Sequence, residues 1–417
     1  MKQIFFSYCA PGYLGTFALI LCLNLSGLAL AKDQDKWEFW SSQRSGTNFF
    51  NQNERFDRMD AAKKLGVSFI RLTPTKWKTA GSGGNGTFLF GNFDKYEGLV
   101  EPDYLRLKEV LDYAAKIDLK VVITFLSVHG RVWNQHYSGQ EKHDLRLWRD
   151  EAYRKHLAAF WRELSSRLRD HPAVVGYNII NEPDPEHADP TVKDWYGDDH
   201  REWCNRSKAG LLDLNKLYNE VIKAIRDVDS NTPIVVDSGY MGVPLSTLCF
   251  DRLADNKVLY SFHMYEPYDY TLANRKHLWK YAYPGSVPIG DLGKETPLWN
   301  LAQLENFLGK ISMWQVAKGI SSKEVYVGEF GVLRRNPGAA SYISDLINVF
   351  DKNNWHWSFY SFREDTWDAV DYELGGRKHL PASYWDAVER GEDPYLLRLP
   401  FYQTSAVFDV IKAKLKH

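Results

Sequence analysis

The feature that most limits what this chain can fold into is a repeated switch of hydrophobic period. Eight apolar, largely β-branched or aromatic runs punctuate it: "GTNFF" (46–50), "VSFIRLT" (67–73), "LKVVITFL" (119–126), "VVGYNII" (174–180), "PIVVDS" (233–238), "KVLYSFHMY" (257–265), "EVYVGEF" (324–330) and "WHWSFYSF" (355–362). Between them apolar residues recur at helical spacing. Phe56, Met59 and Ala62 share one face and Gly66 closes that segment. Leu107, Val110, Leu111 and Ala114 form a second face, Leu157, Phe160, Trp161, Leu164 and Leu168 a third, and Leu214, Leu217, Tyr218, Val221 and Ile225 a fourth. Runs that are apolar throughout predict parallel strands covered on both sides. No Gly-rich phosphate loop follows the first strand, which disfavours an open dinucleotide-binding sheet. The expected fold is α/β, a single (β/α)8 TIM barrel over residues 32–417.

The first 31 residues differ in kind. "LGTFALILCLNLSGLALA" (14–31) has no charge and ends in Ala29-Leu30-Ala31 before "KDQDK". It reads as a secretory signal peptide, so a secreted or periplasmic location is expected, with no membrane attachment after cleavage. The remainder keeps two cysteines, Cys204 and Cys249, either a disulfide or two separate thiols. No Cys/His group has zinc spacing, so no metal site is expected. A net charge of -1 over 417 residues gives no reason to expect a nucleic-acid partner. A monomer is expected, and no cofactor.

In a barrel of this kind, function is written where the strands stop. The insertions 74–102, 127–149, 184–209, 266–302 and 363–400 all follow strands and would crowd that face. Strand two ends at Arg71, strand three reaches His129, strand four ends at Asn181-Glu182, strand six at His263 and Tyr265, and strand seven at Glu329. Unpaired buried polar groups are costly, so such a rim must pair them or use them on a ligand. Two carboxylates suffice to hydrolyse a glycosidic bond. Arg71 would keep one glutamate ionised, and that charge would raise the other.

"NIINEPDP" together with "VYVGEFGV", "FIRLT", "SVHGRVWNQ" and "FHMY", in order and at barrel spacing, resembles glycoside hydrolase family 5, the cellulase-type retaining β-glycanases. The resemblance implies that Glu182 is the general acid/base and Glu329 the nucleophile. It matches Asn181 to the amide that bonds the sugar 2-hydroxyl, and Arg71 to the arginine that orients the nucleophile. His129 corresponds to the strand-three histidine, and His263 and Tyr265 to a pair that steadies the two glutamates. One departure stands out: where the family usually has a tryptophan platform at the end of strand eight, the register places Tyr360, with Trp357 three residues earlier and Phe362 two later, so either Tyr360 replaces the platform or the strand is shifted.

The expected function is therefore hydrolysis of an oligo- or polysaccharide, a β-linked glucan or related glycan. A mannan- or β-1,3-glucan-specific enzyme, an exo-acting one and a non-catalytic carbohydrate-binding barrel are the alternatives.

Overall fold

The computed structural model describes residues 35–415 apart from 82–86, 135–136, 193–195, 197, 273–279, 291–294, 366 and 376–379. The expected signal peptide, 1–31, lies outside them. Eight parallel strands close into a barrel: β1 (Ser45–Phe49), β2 (Phe69–Leu72), β3 (Lys120–Ile123), β4 (Val174–Asn178), β5 (Ile234–Asp237), β6 (Val258–Met264), β7 (Val325–Phe330) and β8 (His356–Phe359). Seven fall inside their apolar runs, and β1 begins one residue ahead of its run, at Ser45. β8 pairs with β1 and so completes the ring. A short antiparallel ribbon, Gly285–Ser286 with Leu298–Trp299, lies apart from it.

The outer helices include α1 (Phe56–Leu65), α2 (Glu101–Lys116), α3 (Glu151–Leu168), α4 (Leu214–Arg226), α5 (Leu301–Ala317), α6 (Ala339–Lys352) and α7 (Ala406–Lys414). Their starts are written locally: Asp150, Asp213, Asn300 and Ser405 each accept a backbone N–H of the first turn through the side chain. Gly66 ends α1 at φ 97°, where a side chain would be strained. One connection departs from the expected pattern. Between β5 and β6 the chain makes a 3-10 helix, Pro244–Cys249, instead of a full α-helix. It follows Tyr240, Met241 and Gly242, all at positive φ, a backbone that cannot continue into a helix.

Strand alternation sorts the interior into layers. Phe69, Val122, Val175, Val235, Leu259 and Tyr326 form an apolar layer inside the barrel. Trp40, from the 3-10 helix Lys36–Ser41, joins this layer; its indole N–H donates to the Val175 carbonyl at 2.9 Å. Their strand neighbours Ile70, Val121, Val174, Ile234, Val258 and Val325 belong instead to the large core shared with the helices. Further along the same strands the buried residues turn polar: Asn48, Arg71, Asn178, Asp237, Ser261 and Ser358. The barrel therefore presents a polar layer at the end where the long insertions gather.

Truncating Trp40 leaves a large cavity that backbone hydrogen bonding prevents from collapsing. We expect Trp40→Ala to cost about 3–5 kcal/mol, read as a lower urea midpoint with an unchanged transition slope.

Candidate active site

Arg71 lies opposite Asn48 in the β1–β2 register and is fully buried. Its Nη1 donates to Asn48 Oδ1 at 3.1 Å and to Glu329 Oε1 at 2.7 Å. Nε and Nη2 both reach Asn178 Oδ1, at 2.9 and 2.7 Å. Nη2 also donates to Asn181 Oδ1 at 2.7 Å and to Asp237 Oδ2 at 3.0 Å. One guanidinium thus ties together β1, β2, β5, β7 and both ends of the β4 turn. Because Asn181 spends its oxygen on Arg71, its NH2 end is left to donate.

The turn after β4 explains why an apolar strand ends in an amide and a carboxylate. Glu182 sits at φ 50°, an uncommon backbone for a residue with a Cβ. Its N–H donates to Asp237 Oδ2 at 3.3 Å and its carbonyl accepts from Arg131 Nη2 at 2.6 Å. Those two bonds hold the left-handed step that turns the carboxylate into the cleft. There Glu182 Oε1 meets His263 Nδ1 at 2.8 Å. His263 Nδ1 is also 3.8 Å from Glu329 Oε1, and Nε2 is 3.4 Å from Asp237 Oδ2. Gly328 makes this possible: a Cβ there would meet Ser261 Oγ at 2.6 Å and His263 Nε2 at 3.0 Å. Glu329 Oε2 accepts from the Tyr265 hydroxyl at 2.9 Å. Carboxylate oxygens of Glu182 and Glu329 and a nitrogen of His263 all lie within 4.8 Å of one another.

These groups open into a cleft of about 770 Å³. Asn181, Glu182, His263, Tyr265, Glu329 and Tyr360 line it, together with aromatic residues such as Trp133, Tyr240 and Trp367. Tyr360 stands just past β8 and packs edge-on against Phe50. Cys204 and Cys249 are joined as a disulfide, linking the helix Asp198–Arg206 to the 3-10 helix after β5.

His129 is a correction. It is fully buried among Phe90, Phe93, Tyr96, His156 and Phe160, away from the carboxylates. Burial, assisted by His156, pushes its imidazole down to about 3, so it is neutral packing. The β3 loop sends Arg131 to the Glu182 turn instead. Asn48, Asn178 and Asp237 were missed; Asp237 carries the same signal that singled out Arg71, a polar residue closing an apolar strand, whereas Asn48 and Asn178 each lie within an apolar run.

The sequence leads to the expectation that Arg71 keeps one glutamate ionised and that this charge raises the other; the glutamate that Arg71 reaches is Glu329. Burial, reinforced by the Glu182 charge, pushes the Glu329 carboxyl up, and His263, Arg71 and the Tyr265 hydroxyl only partly oppose it. Arg71 cannot do more because Asp237 shares its charge. His263 moves the other way from an ordinary buried histidine. Burial disfavours its charge, but Glu329, Asp237 and Glu182 more than offset that and raise it to about 10. A folded pKa above the unfolded 6.5 means His263 adds stability that is complete below pH 6.5 and fades as pH rises toward about 10. The Tm deficit of His263→Asn should accordingly be greatest near pH 6 and shrink steadily toward pH 10. A deficit that does not vary with pH would refute the imidazolium.

The described residues include no helix long and apolar enough to cross a membrane. The family model described as Cellulase (glycosyl hydrolase family 5) matches residues 33–366. Endoglucanase B of Neocallimastix patriciarum is 24% identical over 282 residues, 65% of this chain and 47% of that protein, so the chain spans about half the length of that relative. Endoglucanase C of Acetivibrio thermocellus is 24% identical over 284 residues, 64% of this chain and 69% of that one. Among solved structures, endoglucanase Cel5A from Thermotoga maritima has a TM-score of 0.55 at 18% identity, covering 79% of this chain and 92% of that chain, a likeness of fold. The family match runs from ahead of the Trp40 plug to beyond β8 and takes in the whole barrel, so the chain belongs to glycosyl hydrolase family 5, the cellulase family of enzymes that hydrolyse O-glycosyl bonds.

Proposed function

We propose that the protein hydrolyses a β-linked glucan or related glycan with retention of anomeric configuration, Glu329 acting as nucleophile and Glu182 as general acid/base. The observation that carries this reading is the approach of the two carboxylates across one cleft, oxygens within 4.8 Å of each other. Retaining enzymes place their carboxyl groups about 5–5.5 Å apart, and inverting ones about 6.5–9.5 Å apart to admit a water. An oxygen-to-oxygen approach this close supports the retaining spacing.

The surroundings suit the division of roles. Both Glu329 oxygens accept a hydrogen bond, from Arg71 and from Tyr265, which fixes a carboxylate for attack on the anomeric carbon. As the bond from Glu329 forms, Glu182 passes its proton to the departing glycosidic oxygen. Glu182 then removes a proton from water, which attacks the glycosyl ester and restores the Glu329 carboxylate. His263 fixes one Glu182 oxygen, and Asn181 offers its NH2 group beside the reacting sugar. Tyr360 would serve as the aromatic floor for that sugar. Both named relatives are endoglucanases, which favours internal cleavage of a glucan chain as the first activity to assay. Export, which rests on residues 1–31, belongs to the same proposal.

The roles separate by stereochemistry. In Glu329→Ala, azide entering the space beneath the anomeric carbon should attack once and give a glycosyl azide of inverted configuration. In Glu182→Ala, a substrate with a good leaving group should still form the glycosyl ester, and azide should release it with retained configuration. Each variant should lose at least about a hundredfold in kcat on polymeric substrate, within the range expected for removing a positioned acid or base. Reversed products would exchange the two roles. Undiminished turnover in both variants would end the assignment. Wild-type rates on barley β-glucan, carboxymethylcellulose, laminarin and mannan would rank the substrates.

A further inference from the structure

Beside the carboxylate pair, on the same turn, lies a second group of chemistry-bearing side chains that hydrolysis does not use. Asp184 is two residues beyond Glu182, His187 follows on the 3-10 helix Pro185–Ala188, and His143 comes from the loop after β3. One donor atom from each lies within 4.8 Å of the others. His143 Nδ1 is 3.3 Å from Asp184 Oδ2, and His187 Nδ1 is 3.7 Å from the same oxygen. Both distances are longer than a well-formed hydrogen bond. His187 Nδ1 is buried and makes no hydrogen bond.

The two distances to Asp184 Oδ2, 3.3 and 3.7 Å, lie near the spacing of atoms that share a metal ion. Ligand atoms bound at about 2.0–2.2 Å in a tetrahedral shell stand roughly 3.3–3.6 Å from one another. The other carboxylate oxygen is already committed, as an outer contact to a metal ligand should be. Asp184 Oδ1 accepts from Arg131 Nε at 3.2 Å and from Trp148 Nε1 at 3.3 Å, which turns Oδ2 toward the two imidazoles. The histidine rings are stacked, centroids 4.2 Å apart and 20° between planes, and would turn apart on binding so that both Nδ1 lone pairs converge on one ion. Asp184 and its supports are buried, whereas His143 and His187 line the cleft. Two imidazoles and one carboxylate form a donor set that prefers zinc-like divalent ions to calcium or magnesium.

We propose that His143, Asp184 and His187 bind a divalent transition-metal ion of the zinc class at the edge of the cleft, with its remaining coordination positions open toward the bound glycan. The ion would bridge the β3 and β4 loops next to the turn that carries Glu182. It takes no part in the double displacement, so its test is read by binding and not by turnover.

Chelator-treated full-length protein would be titrated with zinc chloride by calorimetry, alongside His143→Gln, His187→Gln and Glu329→Gln, each checked for native circular dichroism. Wild type should bind one equivalent, each histidine variant should bind at least about tenfold more weakly, and Glu329→Gln should bind as wild type does. Cobalt(II) added to wild-type protein should give the visible absorption of a low-coordinate site, bleached by stoichiometric zinc, a result that needs no variant to fold. Absence of both zinc heat and cobalt colour overturns the proposal. Wild-type affinity in both histidine variants overturns it too, as does loss of zinc binding in Glu329→Gln, which would place the ion at the carboxylate pair.

Discussion

The centre of this protein depends on one buried guanidinium. A charge fully removed from water is tolerated only with partners of matched geometry, and Arg71 has five: Asn48, Asn178, Asn181, Asp237 and Glu329. Its planar fork fixes the angles among them, which a lysine could not do. Two of the five are carboxylates that burial would otherwise drive to the neutral form. The arginine therefore stabilises the polar layer and also places the oxygen of Glu329 that faces Glu182 and His263.

Three carboxylates, Glu182, Asp237 and Glu329, surround two cations, Arg71 and His263. This excess of negative charge explains the opposite displacements of the ionisable groups. Asp237 touches both cations and is held well below the usual carboxylate range despite burial. Glu329 shares Arg71 with Asp237, faces Glu182 and is pushed up. The imidazole of His263 takes the proton that a buried histidine ordinarily loses. Asp237 never faces the substrate side of the pair, yet it receives Arg71, the Glu182 N–H and the close approach of His263. It is the partner through which the two halves of the site are coupled.

The left-handed backbone at Glu182 shows how local strain and distant contacts combine. A carboxylate leaving β4 in extended geometry would follow the strand direction. The positive φ redirects it, and Arg131 and Asp237 supply the hydrogen bonds that keep it there. The same turn continues into Asp184 and His187, so one short segment after β4 serves both the carboxylate pair and the neighbouring histidine cluster.

Much of this was legible in the amino-acid order. Period switching placed all eight strands, because strands covered on both faces must be apolar throughout. Polar residues closing those runs named Arg71, Asn181, Glu182, His263, Tyr265 and Glu329, because an apolar strand has no packing reason to end that way. The stop at Gly66 likewise answers to neighbours only a few positions away. Tertiary structure decided what depends on the direction of a side chain after its strand ends. His129 carries the same signal as His263, but its loop folds back into an aromatic core, and only packing distinguishes the two. Asp237 and Asn48 gained their importance from register, which set them around Arg71. His143 stands far from Asp184 and His187 in sequence, and no spacing rule joins them. Sequence fixes which groups can ionise, bond or pack; closure of the barrel decides which of them meet, because those contacts join strands and loops that the chain itself keeps far apart.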